Sequence, residues 1–130
     1  MITLDPETFK AEEGGAYWRF WTTERLGQFD IAVMAATEDL APAPWALEQL
    51  GRELARIDAL FDAALAAAKA GWEAQYGRRA PDDGWTLTRI AIEKTGDTTI
   101  VLYEGDIDTY GAWDVAMRDG VALSVKRRQI

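Results

Sequence analysis

Runs of aromatic and β-branched residues flank a central stretch whose apolar positions recur every three or four residues, so the pattern predicts strands, then a helix, then strands. Tyr17 to Thr22 and Gln28 to Ala35, separated by Glu24-Arg25-Leu26-Gly27, read as a hairpin. Setting Phe20 opposite Phe29 places Trp18 opposite Ile31 on one apolar face. Arg19 then faces Asp30, and Tyr17 faces Ala32, on the other. Ala41-Pro42-Ala43-Pro44 ends this pattern. Pro44 suits the first turn of a helix, where its missing N–H would have no intrahelical partner anyway. From there Leu47, Leu50, Leu54, Ile57, Phe61, Leu65, Ala68, Trp72 and Tyr76 form one apolar stripe. Gly77 fits a left-handed helix end, with Pro81 soon after. A helix over residues 44–76 would be about 50 Å long, more than a small sheet covers. Gly51 or Gly71, each costing about 1 kcal/mol relative to Ala, is the expected place of a bend or break.

Beyond a loop from Arg78 to Gly84, Trp85 to Lys94 and Thr98 to Tyr103 predict a second hairpin around Thr95-Gly96-Asp97, with Ile92 opposite Ile100 and Ile90 opposite Leu102. Trp113 to Met117 and Val121 to Lys126 predict a third. Asp119-Gly120 suggests a two-residue turn, which would set Val121, Leu123 and Val125 against Arg118, Ala116 and Asp114. A three-residue loop, Arg118-Asp119-Gly120, instead pairs Met117 with Val121, Val115 with Leu123 and Trp113 with Val125. The second register is preferred because it keeps the apolar row on one face. These elements predict a single α+β domain over residues 1–130. Its mostly antiparallel sheet has about six strands in three hairpins, with one long helix, about 44–76, packed on one face. Nothing in the element order calls for a parallel crossover. Residues 1–12 and 127–130 are expected to fray.

Composition then narrows the chemistry. With no cysteine and no histidine, the chain has no disulfide, no thiolate nucleophile or thiolate metal site, and no imidazole acid/base. No run of eighteen apolar residues occurs and the opening residues hold no basic leader, so a cytoplasmic protein is expected, without membrane contact. The 22 acids against 14 bases give a formal charge of -8, which opposes nucleic acid and favours a basic protein as partner. No phosphate loop, dinucleotide fingerprint or zinc helix motif is present, and no cofactor is expected.

The acids concentrate in Glu104-Gly105-Asp106-Ile107-Asp108-Thr109-Tyr110-Gly111-Ala112-Trp113-Asp114, which has four carboxylates and no base. Such a loop suits a hard cation or a basic surface. In an EF-hand register Asp106, Asp108 and Asp114 take positions 1, 3 and 9, but Tyr110 and Met117 stand where oxygen ligands are needed, so no metal is assigned. Asp106 and Asp108 could act as acid and base only if burial raised one of them toward neutrality, and no catalytic residue is assigned. Of the tryptophans, Trp18, Trp72 and Trp113 fall on apolar rows, whereas Trp21 falls on the polar face of its hairpin and reads as an interface anchor. The candidate partner-binding set is Trp21, Glu104, Asp106, Asp108, Tyr110 and Asp114. Lys126-Arg127-Arg128 reads as a solubilising tail on an edge strand.

Ile100-Val101-Leu102-Tyr103-Glu104, the loop Asp106-Ile107-Asp108-Thr109-Tyr110-Gly111 and the hairpin Trp113 to Val125 resemble small bacterial domains of unknown function, some similar to immunity proteins of polymorphic toxin systems. Several such domains carry a histidine shortly after the glycine, where this chain has Ala112-Trp113, so only the acidic loop is carried over. The resemblance implies a non-enzymatic protein-binding domain, an immunity-type inhibitor of a cationic toxin. A carboxylate-dependent enzyme or a small-ligand or metal-binding protein is the alternative, and a self-associating homodimer the third reading.

Overall fold

A computed structural model of the chain describes residues 10–12, 15–37 and 41–130, with the backbone alone described for residues 10–12, 19 and 20. The strands are β1 (Lys10–Glu12), β2 (Gly15–Thr23), β3 (Gly27–Val33), β4 (Trp85–Ile92), β5 (Thr98–Glu104), β6 (Gly111–Arg118) and β7 (Val121–Gln129). They form one sheet in sequence order, antiparallel except between β3 and β4. The domain is therefore α+β with a mostly antiparallel sheet. The parallel β3–β4 pair corrects the expectation that no crossover is needed. Two helices, α1 (Pro44–Ala55) and α2 (Ile57–Tyr76), carry the chain back along the sheet before β4 begins, which is the length of connection that a parallel pair requires.

The helical stretch starts at Pro44 and ends on left-handed Gly77, as its pattern predicts. It is broken at Arg56, not at either glycine. Arg56 leaves helical geometry, its N–H turns to the Glu53 carbonyl at 3.2 Å, and its guanidinium pairs with the buried Glu53 carboxylate. Gly71 serves a different purpose. A Cβ there would sit 3.0 Å from Val125 Cγ1, so the missing side chain lets α2 approach β7 closely. After the break α1 lies over β4 and α2 over β5, β6 and β7. Between helices and sheet lies the core, including Trp18, Phe29, Ile31, Leu50, Leu54, Leu60, Trp72, Leu87, Ile90, Ile100, Leu102, Trp113, Val115 and Met117.

Each predicted hairpin forms with an altered register. Tyr17 does face Ala32 and Trp18 faces Ile31, but a bulge between Trp18 and Trp21 puts Trp21, not Phe20, opposite Phe29. Trp21 consequently turns to the helix side and packs, half-buried, against the core. Arg19, expected opposite Asp30, has its side chain outside the described residues. In the second hairpin Ile90, not Ile92, faces Ile100, and Ile92 faces Thr98. The loop is wider than Thr95-Gly96-Asp97 because Glu93 N–H already bonds the Asp97 carbonyl at 2.9 Å. This two-residue slip keeps Ile90, Ile92 and Ile100 on the core face. A second bulge before Arg89 turns Leu87 to the same face, where it takes the place opposite Leu102 expected for Ile90.

The third hairpin takes the two-residue turn rather than the three-residue loop. Asp119 and Gly120 both have positive φ, 51° and 80°, as the tight hairpin turn demands, and Arg118 pairs with Val121. Met117 faces Ala122. One extra residue in β7, Leu123, then shifts the register so that Val115 faces Val125 and Trp113 faces Arg127. The apolar row survives because the bulge restores it, while Val121 and Leu123 point outward. Residues 127–129, expected to fray, are paired within β7, and Ile130 N–H bonds the Tyr110 carbonyl at 2.8 Å.

Candidate functional site

β5 and β6 are antiparallel neighbours, so the acidic segment 105–110 is their connection. It is folded around Glu104, which is 0% exposed. Glu104 Oε1 accepts the amide N–H of Asp106 at 2.7 Å, and Oε2 accepts those of Ile107 and Asp108, both at 2.9 Å. A buried carboxylate must find partners, and here three successive amides supply them. The preceding loop packs against this knot: Gly105 N–H bonds the Gly84 carbonyl at 3.2 Å. A Cβ on Gly84 would lie 2.7 Å from both Glu104 Oε1 and Asp106 Oδ2, and its φ of 88° also favours glycine.

Asp108, nearly buried, turns inward from the same loop. Its Oδ2 accepts Trp113 Nε1–H and Arg127 Nε–H, both at 2.9 Å, and its Oδ1 accepts from Arg127 Nη2 at 2.7 Å. The Arg127 guanidinium above all, and the indole N–H after it, hold the Asp108 carboxyl below the usual carboxylate range, against the opposing effect of burial. Asp114 faces the other side of the sheet, where Arg128 grips it through Nε at 2.7 Å and Nη2 at 3.0 Å. The residues read as a solubilising tail thus supply the charges that the acidic segment lacks. Consecutive positions of β7 point to opposite faces, so Arg127 and Arg128 each reach a different carboxylate.

Of the candidate residues, the structure brings Glu104, Asp106, Asp108 and Tyr110 together and separates them from the rest. Asp114 lies on the far face with Arg128, and Trp21 is on β2 in the core margin. The oxygens of Glu104 and Asp108 are engaged internally. Among the described residues no group of three His, Cys, Asp or Glu is placed to share a cation. What the loop offers outward is Asp106, with Ile107 60% and Tyr110 69% exposed. Tyr103 reaches across to bond the Thr109 carbonyl at 3.0 Å, so the tip is tied at both ends.

Comparison with known proteins returns no matching family model, curated protein or solved structure.

Sequence reasoning missed Ile107 and Tyr76. Ile107 stands between two aspartates, and an aliphatic residue in an otherwise acidic loop was the available signal. Tyr76 closes the predicted apolar stripe but emerges 39% exposed at the end of α2. There it joins an aromatic cluster with Trp72, Trp85 and Trp113 at centroid separations of 4.9 to 6.4 Å. Trp113, through its indole N–H, links this cluster to Asp108. The arrangement is chemically a braced platform. Glu104 and Asp108 are consumed in holding a short loop still, and its exposed groups are the Asp106 carboxylate with an aliphatic and an aromatic side chain.

Proposed function

We propose that the chain is a non-enzymatic protein-binding domain that presents Ile107 and Tyr110 to a basic partner, in the manner of an immunity-type inhibitor of a cationic toxin. The observation that carries this reading is the brace itself: a wholly buried Glu104 accepts three amides of the loop on which Ile107 and Tyr110 stand exposed. A loop ordered before binding loses little further entropy when a partner docks. Aromatic anchors in such positions contribute most of the binding energy at many interfaces. Around them Asp82, Asp83 and Asp106 are exposed on two adjoining loops, and the net charge is -8. Such a field mainly speeds encounter with a cationic surface and disfavours wrong partners.

The test is capture from the native host with the tagged chain at low and high salt, beside Ile107→Glu and Tyr110→Ala. A basic protein should be recovered by the wild type, less at high salt, and lost by both variants. Recovery of no protein at either salt, or equal recovery by the variants, counts against the reading.

A further inference from the structure

The two helices cover one face of the sheet. The other face carries a second, smaller apolar cluster of Tyr17, Ala32 and Ala91, with Met34 packed against it. Cross-strand register sets these residues in a row: Tyr17 faces Ala32, Ala32 faces Ala91 and Ala91 faces Thr99. Side chains as short as Ala32, Ala91 and Thr99 leave a trough of about 270 Å³ across the strands.

Four charged residues line the trough: Arg89, Glu93, Asp114 and Arg128. Asp114 and Arg128 neutralise each other through their two hydrogen bonds. Arg89 and Glu93 remain, with Ala91 between them, and each is held by a neutral neighbour. The Arg89 guanidinium lies over the Tyr17 ring, 5.2 Å from its centroid, and Glu93 Oε1 accepts the Thr99 hydroxyl at 3.1 Å. Asp30, beside Arg89 in the β3–β4 register, makes its own contact elsewhere. Both Arg89 and Glu93 are half-buried, where salt screens a charge less than at the open surface.

Charge then selects the class of occupant. A simple anion that meets Arg89 also meets Glu93, and a simple cation has the reverse conflict. A zwitterion with its charges well apart gives each residue its opposite, and without net charge it is not repelled by the -8 of the chain. Arg89 and Glu93 are four positions apart, about 13 Å along an extended strand. Three extended peptide residues span about 10 Å, which suits two side chains lining one trough from that separation.

We propose that the trough binds a short zwitterionic peptide of about three residues, its carboxylate on Arg89 and its ammonium on Glu93, lying over Ala91. The site is independent of the loop surface proposed above.

The probe is trialanine, titrated into the ¹⁵N-labelled chain beside its N-acetyl and C-terminal amide forms, each of which removes one charge. Trialanine should shift the amide signals of Ala91 and Thr99 saturably. Each modified form should bind about fivefold more weakly, the size of an ion pair at the favourable end of the exposed range. Arg89→Gln should erase the preference for the free carboxylate and keep that for the free ammonium, and Glu93→Gln should do the reverse. A side chain that merely shaped the trough would weaken all three forms alike. No saturable shift, equal binding of the three forms by the wild type, or preferences that survive both substitutions overturns the proposal. Should a variant fail to fold, the comparison of the three forms on the wild type still decides.

Discussion

Replacing Glu104 by Gln isolates the brace beneath the acidic loop. The side chain keeps its shape, but one of its two acceptor oxygens becomes an NH2 donor. In the native arrangement Oε1 serves the Asp106 amide and Oε2 serves those of Ile107 and Asp108. Turned either way, glutamine sets its NH2 against at least one amide N–H, and that buried donor loses its partner at a cost of about 1–3 kcal/mol. The remaining bonds also lose charge assistance, which separates contributions of about 1.5–3 from about 0.5–1.5 kcal/mol. The expected loss is about 2–4 kcal/mol. With an unfolding entropy of about 2.1 cal/mol/K per residue, a chain of 130 residues should melt about 7–15 °C lower. Calorimetry measures the shift, and amide exchange at Asp106, Ile107 and Asp108 reports whether the loop has opened. A fall of less than about 2 °C with unchanged exchange would refute the bracing role, because a loss that small is less than one orphaned buried donor costs.

Two further outcomes follow from the geometry. The Asp108 carboxyl is held low chiefly by Arg127, whereas in the unfolded chain it titrates near ~3.9. Its contribution is therefore complete above that range and is lost as pH falls through the lower folded value. Urea midpoints from pH 7 to pH 2 should show a shallower acid limb for Asp108→Asn than for the wild type, and equal limbs would contradict the pairing. Gly51→Ala, in α1 with open space around its Cβ, should gain about 0.5–1 kcal/mol in urea unfolding. Gly71→Ala should fall below it because of Val125, and equal gains would refute the close approach of α2 to β7.

The elements were largely legible because period and punctuation are local properties: Pro44 and Gly77 bound the helical stretch, and each hairpin lies where its alternation predicts. Registers were not, because a single inserted residue at Trp18–Trp21, Leu87–Arg89 or Leu123 leaves no compositional mark. The break at Arg56 likewise lacks a glycine or proline to announce it. At the candidate site the carboxylates were readable but their partners were not, since Arg127 reaches Asp108 only through the cross-strand register of β6 and β7. The preferred three-residue loop would have set Val125 beside Trp113 and moved Arg128 away from Asp114, opposite Tyr110. The same dependence moved Trp21 from an exposed anchor to the core margin.

The bulge at Leu123 acts as a phase setter for charge. Were Leu123 paired with Ala116 instead of bulged, the pairing begun at Arg118–Val121 would continue unshifted, setting Arg127 beside Ala112 and sending it to the face where Asp114 lies. Asp108 would then face the aromatic cluster without its cation, although the sequence of the strand had not changed at all. Two adjacent and chemically identical arginines are told apart by parity alone, so the electrostatic identity of this loop is set by the bulge that fixes the register of a neighbouring strand rather than by any residue of the loop itself.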